Sequence, residues 1–218
     1  MPLLRHRRTT LAILLVAAAC TSDPEEAELP ESARRTQPVS GLHRVEGTAP
    51  PAVGPFPSVL IFEPEETAAA LAPEKAAVLD QFGTAFLPPV LLARVGQTVL
   101  FKNSEDQMHN VRVLANITGE TQFNISTPMF APPYEHVFDE PGVYDVICGI
   151  HSAMAAYVVI VSTPWAVVAD DDGAFTLADV PTGNYRVTIW NVDPDRRSLR
   201  DIEVGIGSTD FSLDGVLR

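Results

Sequence analysis

Short apolar and β-branched runs, five to eight residues long, recur along the chain between Pro, Gly, Asn and Asp. Beyond the first twenty residues no long segment repeats its apolar positions with the helical period. This pattern predicts an all-β chain of sandwich type. Two strands are predicted early, at 42–49, which alternates, and at 59–63; 65–71 reads as one helical turn or an Ala-rich loop. Further strands are predicted at 90–95, 98–102, 111–114, 134–138, 143–148 and 155–161. Gly83-Thr84, Gly96-Gln97 and Pro141-Gly142 supply turns between them. The segment 116–130 reads as a polar excursion, and His43, among polar neighbours, as a surface residue.

Two of these strands frame the candidate chemistry. In 143–148, Tyr144, Val146 and Cys148 fall on one face. Gly149 and Ile150 then turn the chain, so that His151 and Met154 follow within six residues of Cys148. A soft thiolate, an imidazole and a thioether this close together suit copper. A second imidazole is available upstream in N-S-E-D-Q-M-H-N (103–110), where His109 heads the apolar run 111–114. Asn110 is placed to hydrogen-bond the adjacent ligand loop and so fix His109; His136 lies away from these loops and is read as non-ligating. The next strand, 155–161, is apolar on both faces, which requires something to cover the outside of its sheet.

Charge and cysteine usage narrow the setting. The formal net charge is −13, and removing residues 1–19, which hold three arginines and no acid, takes it to −16. Nucleic acid is therefore excluded as a partner, whereas a basic redox protein would be steered by such a field. Residues 1–19 read as a signal peptide: Arg5, Arg7 and Arg8, a short apolar core at 11–16, and Ala17-Ala18-Ala19 before Cys20. The apolar core is too short to span a bilayer. Residues 20–40, acidic and rich in Pro, read as a disordered tether. Only two cysteines exist and one stands at the processing site. The exported domain thus keeps a single thiol, Cys148, in an oxidising compartment, where burial or coordination must protect it. The N-I-T and N-I-S triplets at 116 and 124 are set aside as glycosylation sites, because the leader is of bacterial type.

These residues carry three resemblances. A small-residue site directly before Cys20 resembles the lipobox of bacterial lipoproteins, implying an acylated Cys20 and a periplasmic or cell-envelope protein anchored to a membrane. One His ahead of C-x2-H-x2-M near the end of an all-β domain resembles the cupredoxins. The blocks D-Q-F-G-T-A-F-L-P-P-V-L, V-G-Q-T-V-L-F-K-N-S-E-D-Q-M-H-N-V and C-G-I-H-S-A-M-A-A-Y-V-V-I-V look like the plastocyanin-like proteins of methylamine-utilisation type. The resemblance implies a Greek-key sandwich at 76–162 holding one type 1-like copper through His109, Cys148 and His151, with Met154 as weak axial ligand. Plastocyanins proper place that Met at the position of Ala156; the shorter spacing here is similar to the copper centres of terminal oxidases. Finally, D-D-D-G-A-F and P-T-G-N-Y within 165–190 look like a carboxypeptidase regulatory-like, transthyretin-type sandwich. Its opening strands would lie at 41–75 and its remainder at 163–218, with the copper domain inserted between; two sandwiches in series is the alternative.

The expectation is an exported, tethered carrier of single electrons rather than an enzyme. Two alternatives stay open: a copper site left open for a small molecule if Met154 does not bind, with Glu105 or Asp106 as oxygen ligand, and a copper carrier or reservoir.

Overall fold

The computed structural model describes residues 41–66 and 71–204 and the strand at 210–212. The signal peptide, Cys20, the tether and most of the expected turn at 65–71 lie outside the described residues. Within these, the chain is all β, with one 3-10 turn at Pro194–Arg196 and no α-helix.

Nine strands form the central sandwich: β3 (Ala77–Phe82), β4 (Ala85–Leu87), β5 (Val90–Arg94), β6 (Thr98–Asn103), β7 (His109–Ala115), β8 (Thr121–Thr127), β9 (Tyr134–Val137), β10 (Gly142–Ile147) and β11 (Ala155–Val161). One sheet runs β5-β11-β10-β7-β8 and the other β4-β3-β6-β9. Alternation along each strand sends Leu79, Phe86, Val99, Phe101, Val111, Val113, Val146, Val158 and Ile160 into one core between them. The other strands are β1 (Leu42–Thr48), β2 (Val59–Pro64), β12 (Ala166–Val168), β13 (Ala174–Pro181), β14 (Gly183–Trp190), β15 (Ser198–Val204) and β16 (Asp210–Ser212). They pair as β13-β1-β16 and β12-β2-β14-β15. Their core gathers Val45, Leu60, Phe62, Phe175, Val180, Tyr185, Val187 and Ile189. Strands on either side of the central sandwich in sequence therefore share both sheets and one core.

The doubly apolar β11 has its cover. Ala156, Val158 and Ile160 face the central core. Val159 and Val161 point outward, and with Val90 they meet Val59 and Trp190 in a third buried cluster, flanked by Tyr157, Phe56 and Ile61. Tyr157 packs edge-on against both Phe56 and Trp190, at 5.1 and 5.0 Å between ring centres. Five buried side chains of this size contribute on the order of 10 kcal/mol before ordering entropy is subtracted. That is ample to hold the second sandwich against the β5–β11 face.

One expectation is filled in and one corrected. The excursion 116–130 contains β8, paired with β7 from His109↔Thr127 to Leu114↔Thr121. It is an edge strand that places Phe123 and Ile125 against the core and turns Gln122, Asn124 and Ser126 to solvent, so polar residues dominate its composition. His43 is buried rather than superficial, at 8% exposure, and its Nε2 lies 2.8 Å from Thr182 Oγ1. It shares the inward face of β1 with Val45, and the hydroxyl partner offsets its desolvation. His136 stands away from Cys148, packed on Phe123 and Phe138, and burial lowers its pKa.

Candidate metal centre

Strand register delivers the side chains. β7 opens on His109, whose ring points inward with 0% exposure. The adjacent β10 ends at Ile147, and Cys148 continues the inward face of Tyr144 and Val146 at 3% exposure. Between Cys148 and β11 the chain closes a tight loop. The Met154 N–H donates to the His151 carbonyl at 2.9 Å, and the Cys148 N–H to the Met154 carbonyl at 3.2 Å. This loop brings His151 back over the thiol and puts Met154, 1% exposed, into the same core cluster.

Asn110 locks the two ligand-bearing segments together. Its Oδ1 accepts a short hydrogen bond from the Gly149 N–H, and its Nδ2 donates to Asn124 Oδ1 on β8 at 2.8 Å. A Cβ at position 149 would sit 3.3 Å from that Oδ1, so glycine there permits the close approach. The expected role of Asn110 in tying His109 to the neighbouring loop has this contact behind it.

His109, Cys148 and His151 form the cluster of metal-binding groups. Cys148 Sγ lies 3.9 Å from His109 Nδ1 and 4.0 Å from His151 Nδ1, and the two nitrogens are 3.0 Å apart. A point equidistant from these three atoms is about 2.1 Å from each, which is the length of a bond from a divalent transition metal to imidazole nitrogen. The triangle thus fits one small, soft or borderline cation. Burial pushes the Cys148 thiol up, but the Asn110, His151 and Ile150 backbone groups and the His109 ring outweigh it and hold its pKa below the ordinary value. That favours the thiolate, which is the form that binds metal.

The ligand candidates differ in their access to solvent. His109, Cys148 and Met154 are sealed, whereas His151 is partly exposed. Next to it in sequence Ile150 is 52% exposed, and Met108, just before β7, and Phe130, three residues after β8, are exposed at 50% and 85%.

Glu105 is placed differently from the oxygen-ligand expectation. Its Oε2 is 2.5 Å from His109 Nε2, on the side of the ring opposite the nitrogen that faces Cys148. Its carboxylate is therefore committed to the back of the imidazole. Burial raises its pKa, but the hydrogen bonds from His109, Thr84 and Gly83 prevail and lower it. Asp106 is exposed and has no resolved contact with the cluster. Sequence reasoning missed the pairing of Glu105 with His109, for which their four-residue separation was the one available signal.

No protein-family model matches the chain. It is 29% identical to amicyanin of Paracoccus versutus over 102 residues, 47% of this chain and 77% of that protein. It is 33% identical to amicyanin of Paracoccus denitrificans over 93 residues, 43% of this chain and 71% of that protein. Among solved structures, a mutant amicyanin described as a Cu(I) form aligns with 47% of this chain and 98% of its own, at 31% identity and a TM-score of 0.34. The general resemblance to cupredoxins thus narrows, for somewhat less than half of its length, and this chain belongs to the amicyanin family.

Proposed function

We propose that the protein would hold one copper ion through His109 Nδ1, Cys148 Sγ and His151 Nδ1, with the Met154 thioether as a further weak donor, and carry single electrons. The observation that carries this reading is the triangle of two imidazole nitrogens and one thiolate with a common centre at bonding distance. A nitrogen–nitrogen–thiolate plane with a distant thioether is the donor set of copper electron-transfer sites. Copper held there would supply a one-electron couple. A related protein of known structure is described as a Cu(I) form, which supports the choice of metal.

The surrounding residues favour transfer over catalysis. His109, Cys148 and Met154 are buried, which leaves a substrate little access to the metal, and the commitment of Glu105 to His109 removes one of the two oxygen donors, Glu105 and Asp106, that an open site was expected to use. His151 is the ligand with an exposed edge, so electrons would enter and leave through its ring. The expected partner is a redox protein, steered by opposite charge to an acidic chain.

The test is the visible spectrum and voltammetry of the whole protein with one equivalent of Cu(II). Intense colour and a reversible one-electron wave are expected; ready loss of copper to a chelator would support a carrier instead. Met154→Leu should keep the colour and raise the potential, because a donor to Cu(II) is removed. An unmoved potential, together with a wild-type spectrum that small anions perturb, would return the open-site reading.

The domain plan is inferred likewise. Residues 41–75 and 163–218 would be one regulatory-like sandwich and 76–162 the inserted copper domain, a division supported by the pairing of β1 with β13 and of β2 with β14. Export to the bacterial envelope and anchoring by acylated Cys20 rest on the sequence of residues 1–20. Cys20→Ala should move the protein out of the membrane fraction or leave it unprocessed, since stable anchoring takes two acyl chains. Wild-type protein found wholly in the soluble exported fraction would defeat the anchor.

A further inference from the structure

We propose that Glu105 is a positioning residue for the metal centre: its carboxylate accepts the His109 Nε2 proton, fixes the ring's tautomer and plane, and strengthens Nδ1 as a donor. This rests on His109 being a metal ligand.

The ring of His109 has no exposure, so its Nε2 cannot be solvated and must find a protein partner. That partner is Glu105 Oε2 at 2.5 Å, with the Glu105 side chain itself only 11% exposed. With a carboxylate there, Nε2 carries the proton and Nδ1 presents its lone pair toward Cys148 and His151. A carboxylate on the far nitrogen also raises the basicity of a metal-binding imidazole, which stabilises the more highly charged state of the metal.

The carboxylate is held from outside its own loop. Gly83 and Thr84, at φ +66 and +52, form the tight turn between β3 and β4. The Thr84 N–H that this turn exposes lies 3.2 and 3.3 Å from the two Glu105 oxygens. At the other end, the Glu105 N–H donates to Asn103 Oδ1 at 2.9 Å. Asn103 Nδ2 in turn donates to the carbonyls of Gln107, at 2.8 Å, and Thr127, at 2.7 Å. Thr127 Oγ1 donates to Gln81 Oε1 at 3.1 Å, which closes the network onto β3. The β3–β4 hairpin and the ends of β6 and β8 thus converge on the loop that precedes His109. This chain of hydrogen bonds, part-buried at Glu105 and buried at Thr127, is poorly explained as packing, and well explained as a cradle that holds one carboxylate against one imidazole.

Two variants of the full chain separate charge from shape. Glu105→Gln keeps an acceptor and the side-chain length; Glu105→Ala leaves Nε2 unpaired. In the metal-free protein, NMR of the His109 ring should show the Nε2–H tautomer in the wild type, with a strongly deshielded, slowly exchanging proton. Glu105→Gln should retain the proton with a smaller downfield shift, and Glu105→Ala should lose it to exchange. With metal, both variants should bind Cu(I) and Zn(II) about 10- to 100-fold more weakly, and the copper-loaded Glu105→Gln protein should show a higher reduction potential with its thermal unfolding little changed. A wild-type Nδ1–H tautomer, a tautomer indifferent to Glu105→Ala, or unchanged metal affinity in both variants would each overturn the proposal. Weaker Zn(II) binding in the variants of a wild type that shows no copper colour would support the role of Glu105 while sinking the copper reading, so the two failures are distinguishable.

Discussion

Cys148→Ser should abolish the intense visible colour of the copper-loaded protein while leaving it folded. The thiolate is the one group here able to give strong charge transfer to Cu(II), and Cys148 is the free thiol of the described residues. Serine nearly matches its volume, but its hydroxyl stays protonated at neutral pH and is a hard oxygen donor to a soft-preferring site. The backbone groups of Asn110, His151 and Ile150 that stabilise the thiolate would stabilise a hydroxyl oxygen less. The site remains partly satisfied, so the loss of stability should be about 1 kcal/mol, read as a small shift of the urea midpoint. Some Cu(II) should still bind through His109 and His151, giving weak bands and a changed electron paramagnetic resonance spectrum. Colour that survives in the serine variant would mean that Cys148 is not a ligand. A wild type that stays colourless with stoichiometric Cu(II) under non-reducing conditions would leave the thiol as a buried hydrophobe.

What the sequence makes legible here is what depends on local period and spacing. The alternation of Tyr144, Val146 and Cys148 gives the inward face of β10, and the two-faced apolar run at 155–161 demands the cover that Val59 and Trp190 supply. The C-x2-H-x2-M spacing suffices to bring Cys148 and His151 together, because the loop is too short to do anything else. Long-range contacts leave weaker marks. β8 is hidden because an edge strand needs only Phe123 and Ile125 on the core and can be polar elsewhere. His43 misleads because its neighbours are polar, although the period of β1 puts it beside Val45. The clamp on Glu105 is illegible for a different reason. Thr84 is 21 residues away, and only the folding of the β3–β4 turn over the loop brings its N–H to the carboxylate.

The fragment 163–218, made alone, should be largely unfolded, and joining residues 41–75 to it through a short linker should restore cooperative folding. The order of strands decides this. β2 lies between β12 and β14, and β1 between β13 and β16, so the fragment lacks the strand that joins each sheet. β12 and β16 would lose their partners and β13 its neighbour, leaving only the β14–β15 hairpin paired. A lone hairpin is marginal in water. The missing strands also carry Val45, Leu60 and Phe62 of the core. Burial of these three contributes roughly 5–9 kcal/mol, comparable with the whole stability of a small domain, about 5–15 kcal/mol. The join is geometrically easy. β2 and β12 are antiparallel neighbours, Thr163 Oγ1 donates to the Phe62 carbonyl at 2.8 Å, and the Phe62 N–H to the Trp165 carbonyl at 2.8 Å. The two points where the central sandwich leaves and rejoins this fold are thus side by side, and a turn of a few residues can replace it. The joined fragment would expose Val59 and Trp190, whose cover on β5 and β11 is gone, so some self-association at high concentration is expected. Amide dispersion in NMR and a urea titration read the result. A well-dispersed spectrum from 163–218 alone would show that β1 and β2 are dispensable, and would establish two sandwiches in series.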